Sequence, residues 1–124
     1  QEGVTLAVEP FTKYTTHICN EASQLRRLLR TVNSPRLTGL ADTDVIATTA
    51  VDTFSTFLDV IGPENLGHVH FVPGDGVLDL DGALEKLKAI HYTGALGLEV
   101  LDRRYVFAPE AAMKQAMDWY KERI

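Results

Sequence analysis

Gly67-His68-Val69-His70-Phe71-Val72 runs straight into Pro73-Gly74-Asp75-Gly76, and Asp81 to Ile90 follows with Leu84, Leu87 and Ile90 at helical spacing. This reads as a strand, a tight turn and an amphipathic helix. Proline cannot donate to a ladder and closes the apolar run. The same unit recurs on both sides. Upstream, Val4 to Val8 is closed by Glu9-Pro10. A polar loop, Thr12 to Asn20, leads to Glu21 to Val32, where Leu25, Leu28, Leu29 and Val32 share a helical face and Asn20 is placed to cap it. Asn33-Ser34-Pro35 turns the chain into Leu37 to Ala41, which ends at Asp42. Ala50 to Ile61 then carries Phe54, Phe57, Leu58 and Ile61 on one face before Gly62-Pro63 stops it. Downstream, His91-Tyr92-Thr93-Gly94 turns into Ala95 to Val100, and Pro109 to Ile124 forms the last helix with Pro109 in its first turn.

The pattern is βα repeated four times, with a period of about thirty residues. Alternating β and α with short turns predicts a parallel sheet with right-handed crossovers. No linker or low-complexity tract interrupts it, so residues 1–124 read as one segment. The strands are apolar on both faces, as in a sheet covered on both sides. Helices wound one way cover one face only, and the other would expose Ala7, Leu40, Leu66 and Ala95. A closed eight-stranded β/α barrel removes this difficulty, because its inner faces pack on one another. Four βα units make half of such a barrel, the first half being absent or supplied by another copy of the chain.

Composition narrows the function classes. The chain has 124 residues, 45% hydrophobic and 23% charged, which is ordinary for a soluble globular protein. A net charge of -5 argues against nucleic-acid or anionic-membrane partners. No apolar run approaches a membrane span. Gln1-Glu2-Gly3 leads directly into a strand without the pattern of a signal peptide. Cys19 is the single cysteine, so no intrachain disulfide forms, in keeping with a reducing cytoplasm.

Glu9, Asp42, His70 and Glu99 each sit at or just beyond the C-terminal end of a strand, spaced 33, 28 and 29 residues apart. In a β/α barrel these ends form one rim, where the chemistry resides. One such group alone reads as a solvated loop residue or a helix cap. Four in register, one per repeat, read as a metal site. Oxygen and imidazole donors suit Mn²⁺ most, with Co²⁺ or Mg²⁺ as alternatives, and zinc less. His68 lies two residues before His70 on the same face and deeper, as a support for the site or a substrate contact. His17, in the loop after the first strand, and Arg103, followed by Arg104 and Tyr105 after the fourth, are the further candidate substrate-binding residues. Asp44 reads as a loop or cap residue, His91 as a turn residue on the opposite rim, and Cys19 as inert.

With these residues in view, the chain resembles the C-terminal half of the xylose-isomerase-like sugar isomerases and epimerases, built on the TIM (β/α)8 barrel. The resemblance is carried by Val8-Glu9-Pro10, Gly39-Leu40-Ala41-Asp42-Thr43, Gly67-His68-Val69-His70, Pro73-Gly74-Asp75-Gly76 and Gly97-Leu98-Glu99, in order over the whole length. Within that superfamily, the stretch from Glu9 through Thr12, Tyr14 and Cys19-Asn20 to Ser34-Pro35-Arg36-Leu37 is most similar to fructoselysine 3-epimerases. Ketose 3-epimerases acting on psicose or tagatose are next. The resemblance implies that Glu9, Asp42, His70 and Glu99 bind the metal. It further implies that Glu9 and Glu99 serve as catalytic acid and base on opposite faces of a sugar, epimerising it through an enediolate. A metal on the carbonyl and hydroxyl oxygens makes the adjacent proton removable, and two carboxylates suffice to take it from one face and return it on the other. The partner implied is a small-molecule sugar, with assembly as a homo-oligomer.

Three departures from the ketose epimerases stand out. Thr15 occupies the place of a substrate-contacting Glu, and Val45 that of a His after the Asp ligand. The longer loop that carries a substrate-binding Arg in those enzymes is replaced by Phe71-Val72 leading into the Pro73 turn. A non-catalytic half-barrel that self-assembles or binds a ligand is the competing reading. A relative of the apurinic endonucleases, which need extra histidine ligands and a basic groove, is disfavoured, since neither an Asp-x-His on the third strand nor a basic surface is evident.

Overall fold

The computed structural model describes residues 3–73, 79–100 and 106–123. Four parallel strands, β1 (Leu6–Val8), β2 (Leu37–Asp42), β3 (Leu66–Phe71) and β4 (Leu96–Leu98), pair in the order β1-β2-β3-β4. Helices α1 (Ala22–Val32), α2 (Thr43–Thr49), α3 (Phe54–Ile61), α4 (Leu80–Ala89) and α5 (Pro109–Lys121) connect or follow them, and a 3-10 turn, Pro63–Asn65, precedes β3. The expected βα repeat is present. Sequential order without reversal is what right-handed crossovers produce as a barrel closes.

The core lies between the helices and one face of the sheet. Leu25 from α1, Phe57, Leu58 and Ile61 from α3, and Val69 and Phe71 from β3 are its fully buried large side chains. Phe71 meets Phe54 edge-on at 6.2 Å and Trp119 of α5 at 5.9 Å between ring centroids. Arg123 covers the outer side of Trp119 at 4.7 Å.

A bulge at the start of β3 corrects the simple alternation. Gly39 of β2 pairs with Leu66, but the next residue, Leu40, pairs with His68, so Gly67 is an extra residue in β3. Leu66 thereby turns into the helix-side core, 9% exposed, instead of onto the open face. His68 and His70 share the opposite face. Glycine is required at the bulge, since a Cβ there would lie 2.6 Å from Thr38 Cβ. Of the other residues expected on the open face, Ala7 and Ala95 are exposed and Leu40 is buried.

Two helix boundaries also differ from expectation. Ala50 to Ile61 is not one helix. Ala50, at φ 53, caps the C-terminus of α2, and α3 starts afresh behind Thr53. Thr53 and Thr56 form a reciprocal capping box, with N–H to hydroxyl distances of 3.1 and 2.8 Å. Asn20 is not the cap of α1, which begins behind Glu21. Its buried amide instead donates to the carbonyls of Phe11 and Thr16, and its backbone N–H donates to Gln24 Oε1 at 2.7 Å. Asn20 therefore folds the β1–α1 loop back on itself, where the Phe11 N–H also donates to the Cys19 carbonyl at 3.0 Å.

Candidate metal centre

β2 and β3 hold the centre of the site. Asp42 and His70 are cross-strand partners, and His70 pairs on its other side with Gly97 of β4. Asp42 is both the last residue of β2 and the N-cap of α2, with its Oδ1 accepting the Val45 N–H at 2.8 Å. Its side chain is 3% exposed, and Oδ2 is 3.5 Å from His70 Nδ1. The cap reading and the ligand reading of this residue thus use different oxygens.

Glu9 and Glu99 reach the same point from the outer strands. Glu9 follows β1 and places Oε1 3.9 Å from His70 Nδ1. Glu99 follows β4, its N–H donating to the Phe71 carbonyl at 2.8 Å, and places Oε1 3.1 Å from the same nitrogen. One ring nitrogen is therefore ringed by three carboxylates, yet it is buried and has no hydrogen-bond partner. Each of Glu9, Asp42 and His70 offers a ligand atom within 4.8 Å of the others.

The electrostatics follow from this crowding. Burial lifts the Glu9 carboxyl above the ordinary carboxylate range, Asp42 and Glu99 push it the same way, and His70 opposes. Burial also lifts Asp42, with Glu99 adding to the rise, while the Val45 N–H, His70 and the Asp44 N–H oppose it. Like charges brought together out of water are relieved by protonation or by a cation, and an imidazole nitrogen among them is placed to lend its lone pair to such a cation. The oxygen-rich donor set with one imidazole fits a divalent cation.

His68 lies against His70, the two rings edge-on at 5.0 Å and 88°. Burial and the neighbouring His70 hold it below the usual histidine range, against the pull of Glu99. His17 is exposed in the β1–α1 loop and, among the described residues, no bond joins it to the carboxylates. Arg103, with Arg104 and Tyr105, lies outside the described residues, as does the turn from Gly74 onward. Asp44 occupies the first turn of α2 outside the cluster. His91, at φ 53, lies in the turn between α4 and β4. Burial raises the thiol of half-buried Cys19 above its ordinary value.

Two contributors had no assigned role in the sequence. The buried Thr43 hydroxyl accepts the Val72 N–H at 3.1 Å and ties the end of β3 to the start of α2. Gly97 makes room for the two histidines: a Cβ there would approach His70 Cδ2 to 3.0 Å and His68 Nε2 to 3.2 Å. Both lie within motifs quoted above, but only their neighbours in space reveal what they do.

Comparison with known proteins places this architecture. Residues 1–123 match the family described as xylose isomerase-like TIM barrel. The chain belongs to that family. Among curated relatives, the fructoselysine 3-epimerase of Escherichia coli O157:H7 is 23% identical over 128 residues, covering 96% of this chain and 46% of the relative. Two solved structures superpose on this xylose isomerase-like chain. The 3-keto-D-glucoside 4-epimerase of E. coli, in its apo form, has a TM-score of 0.82 at 23% identity, covering 97% of this chain and 46% of the other. D-psicose 3-epimerase in the presence of D-fructose has a TM-score of 0.71 at 27% identity, covering 80% and 36%. The chain spans about half the length of the curated relatives it matches. These relatives are sugar epimerases. No helix among the described residues is long and apolar enough to cross a membrane.

Proposed function

We propose that this xylose isomerase-like chain carries the metal-binding half of a sugar epimerase that inverts C3 of a ketose or ketose adduct. The observation that carries the reading is the buried, unpartnered Nδ1 of His70 ringed by Glu9, Asp42 and Glu99. Those four residues are the assigned metal ligands. A divalent cation, Mn²⁺ in preference to Co²⁺ or Mg²⁺, would supply charge neutralisation at the substrate oxygens and so acidify the neighbouring C–H. Asp42 and His70, on the two middle strands, are the fixed supports. Glu9 and Glu99 come from the outer strands β1 and β4 and reach the site from opposite sides. One carboxylate removes the proton from one face of the sugar, and the other, protonated, returns one to the opposite face.

β1 and β4 each have one edge without a strand partner among the described residues. The reading assigns those edges to the rest of an eight-stranded barrel, from the same polypeptide or a second copy, which supplies the remaining sugar-binding surface. The test is C3 inversion of fructoselysine, psicose and tagatose by the whole protein, followed by NMR. Activity that disappears on chelation and returns with Mn²⁺ or Co²⁺ is expected. Turnover that resists complete chelation, or none with any ketose in a folded, Mn²⁺-loaded protein, would overturn the reading.

A further inference from the structure

The geometry points to His68 and Gly97 as positioning residues that set the ring orientation of His70, an inference that rests on the metal-site reading above. The imidazole torsion of a histidine is broad, so the ring plane swings easily unless neighbours hold it. A swing of the His70 ring plane would carry Nδ1 off the point on which Glu9, Asp42 and Glu99 converge. Histidine ligands are ordinarily locked by a hydrogen bond from the second ring nitrogen to a carboxylate or carbonyl. Among the described residues, no hydrogen bond to the His70 ring performs that task.

Packing does so instead. The Gly67 bulge places His68 and His70 on one face of β3, two residues apart, and the rings meet edge-on at 5.0 Å. Gly97 is the cross-strand partner of His70 on β4. Its missing side chain leaves a shelf on which the Cδ2–Nε2 edge of His70 and the Nε2 tip of His68 rest, the places where a Cβ would come within 3.0 and 3.2 Å. Nδ1 lies on the opposite edge of the ring and therefore faces the three carboxylates. His68 blocks one flank and Gly97 the floor, so the plane of the ring is held. The metal ligand His70 is thus held by shape where others are held by a hydrogen bond.

A double-mutant cycle on Mn²⁺ affinity, read from the EPR signal of free Mn²⁺, tests this without relying on turnover. His68→Gln removes the ring and keeps a polar side chain of similar size. It should weaken Mn²⁺ binding about ten-fold, the usual scale for a residue that orients a ligand. Gly97→Ala leaves both histidines intact and should weaken binding similarly. In a His70→Gln background, which keeps a donor at the site, adding His68→Gln should change affinity by less than about two-fold, because its effect runs through the missing ring. Unchanged affinity in His68→Gln or Gly97→Ala overturns the inference, and so does an equal loss in the His70→Gln background. A folded wild-type protein that binds no Mn²⁺ overturns the metal site itself, and the two failures are distinct.

Discussion

Asp42 and His70 occupy paired positions on β2 and β3, and Asp42 Oδ2 stands 3.5 Å from His70 Nδ1 while Oδ1 caps α2 through the Val45 N–H. One carboxylate therefore joins the site to the fold. Asn keeps a cap acceptor and Ala does not. Asp42→Asn should lower Mn²⁺ affinity at least ten-fold with little loss of metal-free thermal stability. Asp42→Ala should lose the metal and, in addition, about 1 kcal/mol for the cap. Mn²⁺ titration beside thermal unfolding separates the two, and equal stability of both variants would show that the cap contributes nothing.

Glu99 lies on a rim with its side chain 37% exposed, so its removal costs the core little. Glu99→Gln should reduce epimerisation by about 10²–10⁴-fold, the range for loss of a general acid or base. The circular dichroism spectrum should stay as in wild type. Exchange of the substrate C3 proton with D₂O, measured from each of the two epimers, should survive from only one of them, because Glu9 still serves one face. Full epimerisation by the variant would sink the two-carboxylate scheme.

The raised Glu9 carboxyl also has a consequence for stability. In the unfolded chain it titrates in the ordinary carboxylate range, and in the metal-free fold it titrates higher. Between those two values the folded state binds more protons, so stability falls as pH rises through that window. Glu9→Gln imitates the protonated group. It should raise the melting temperature of the chelated protein at pH 7, and the gain should vanish as pH falls below the unfolded carboxylate range. Mn²⁺ in excess should reverse the order at pH 7, because the ion stabilises most the chain that binds it most tightly. A Glu9→Gln variant less stable than wild type in chelator at pH 7 would contradict the assignment.

The bulge makes Leu66 a core residue and Gly67 a steric necessity. Leu66→Ala should cost about 2–5 kcal/mol in denaturant unfolding, the range for a buried leucine. On the open face the same change would cost under about 1 kcal/mol. Gly67→Ala should cost about 1–3 kcal/mol by overpacking against Thr38, and Thr38→Gly should restore part of it.

Much of this arrangement is legible in the chain. The β-prone runs ending in Glu9, Asp42, His70 and Glu99 lie one per repeat, and in a parallel sheet all strands end on the same rim. Spacing alone therefore places the four residues together, because every crossover returns the chain to the same edge. Helix α2 and the start of α3 at Phe54 are not legible in the apolar pattern, because Phe54, Phe57, Leu58 and Ile61 all lie within α3 and Thr43 to Thr49 is too short to show a stripe of its own. Alternation puts Leu66 on the wrong face because a bulge changes the parity of everything before it, and parity is all that alternation reports.

Local chemistry thus determined the repeat, the parallel sheet and the rim at which the polar residues gather, since these depend on periodicity and on the residues that stop strands. Tertiary structure alone decided that Asp42 divides its oxygens between a helix and the site, that Nδ1 is the edge of His70 turned to the carboxylates, and that Gly97 must lack a side chain. Those are relations between atoms on neighbouring strands. They depend on distances of a few ångströms that no spacing along the chain encodes.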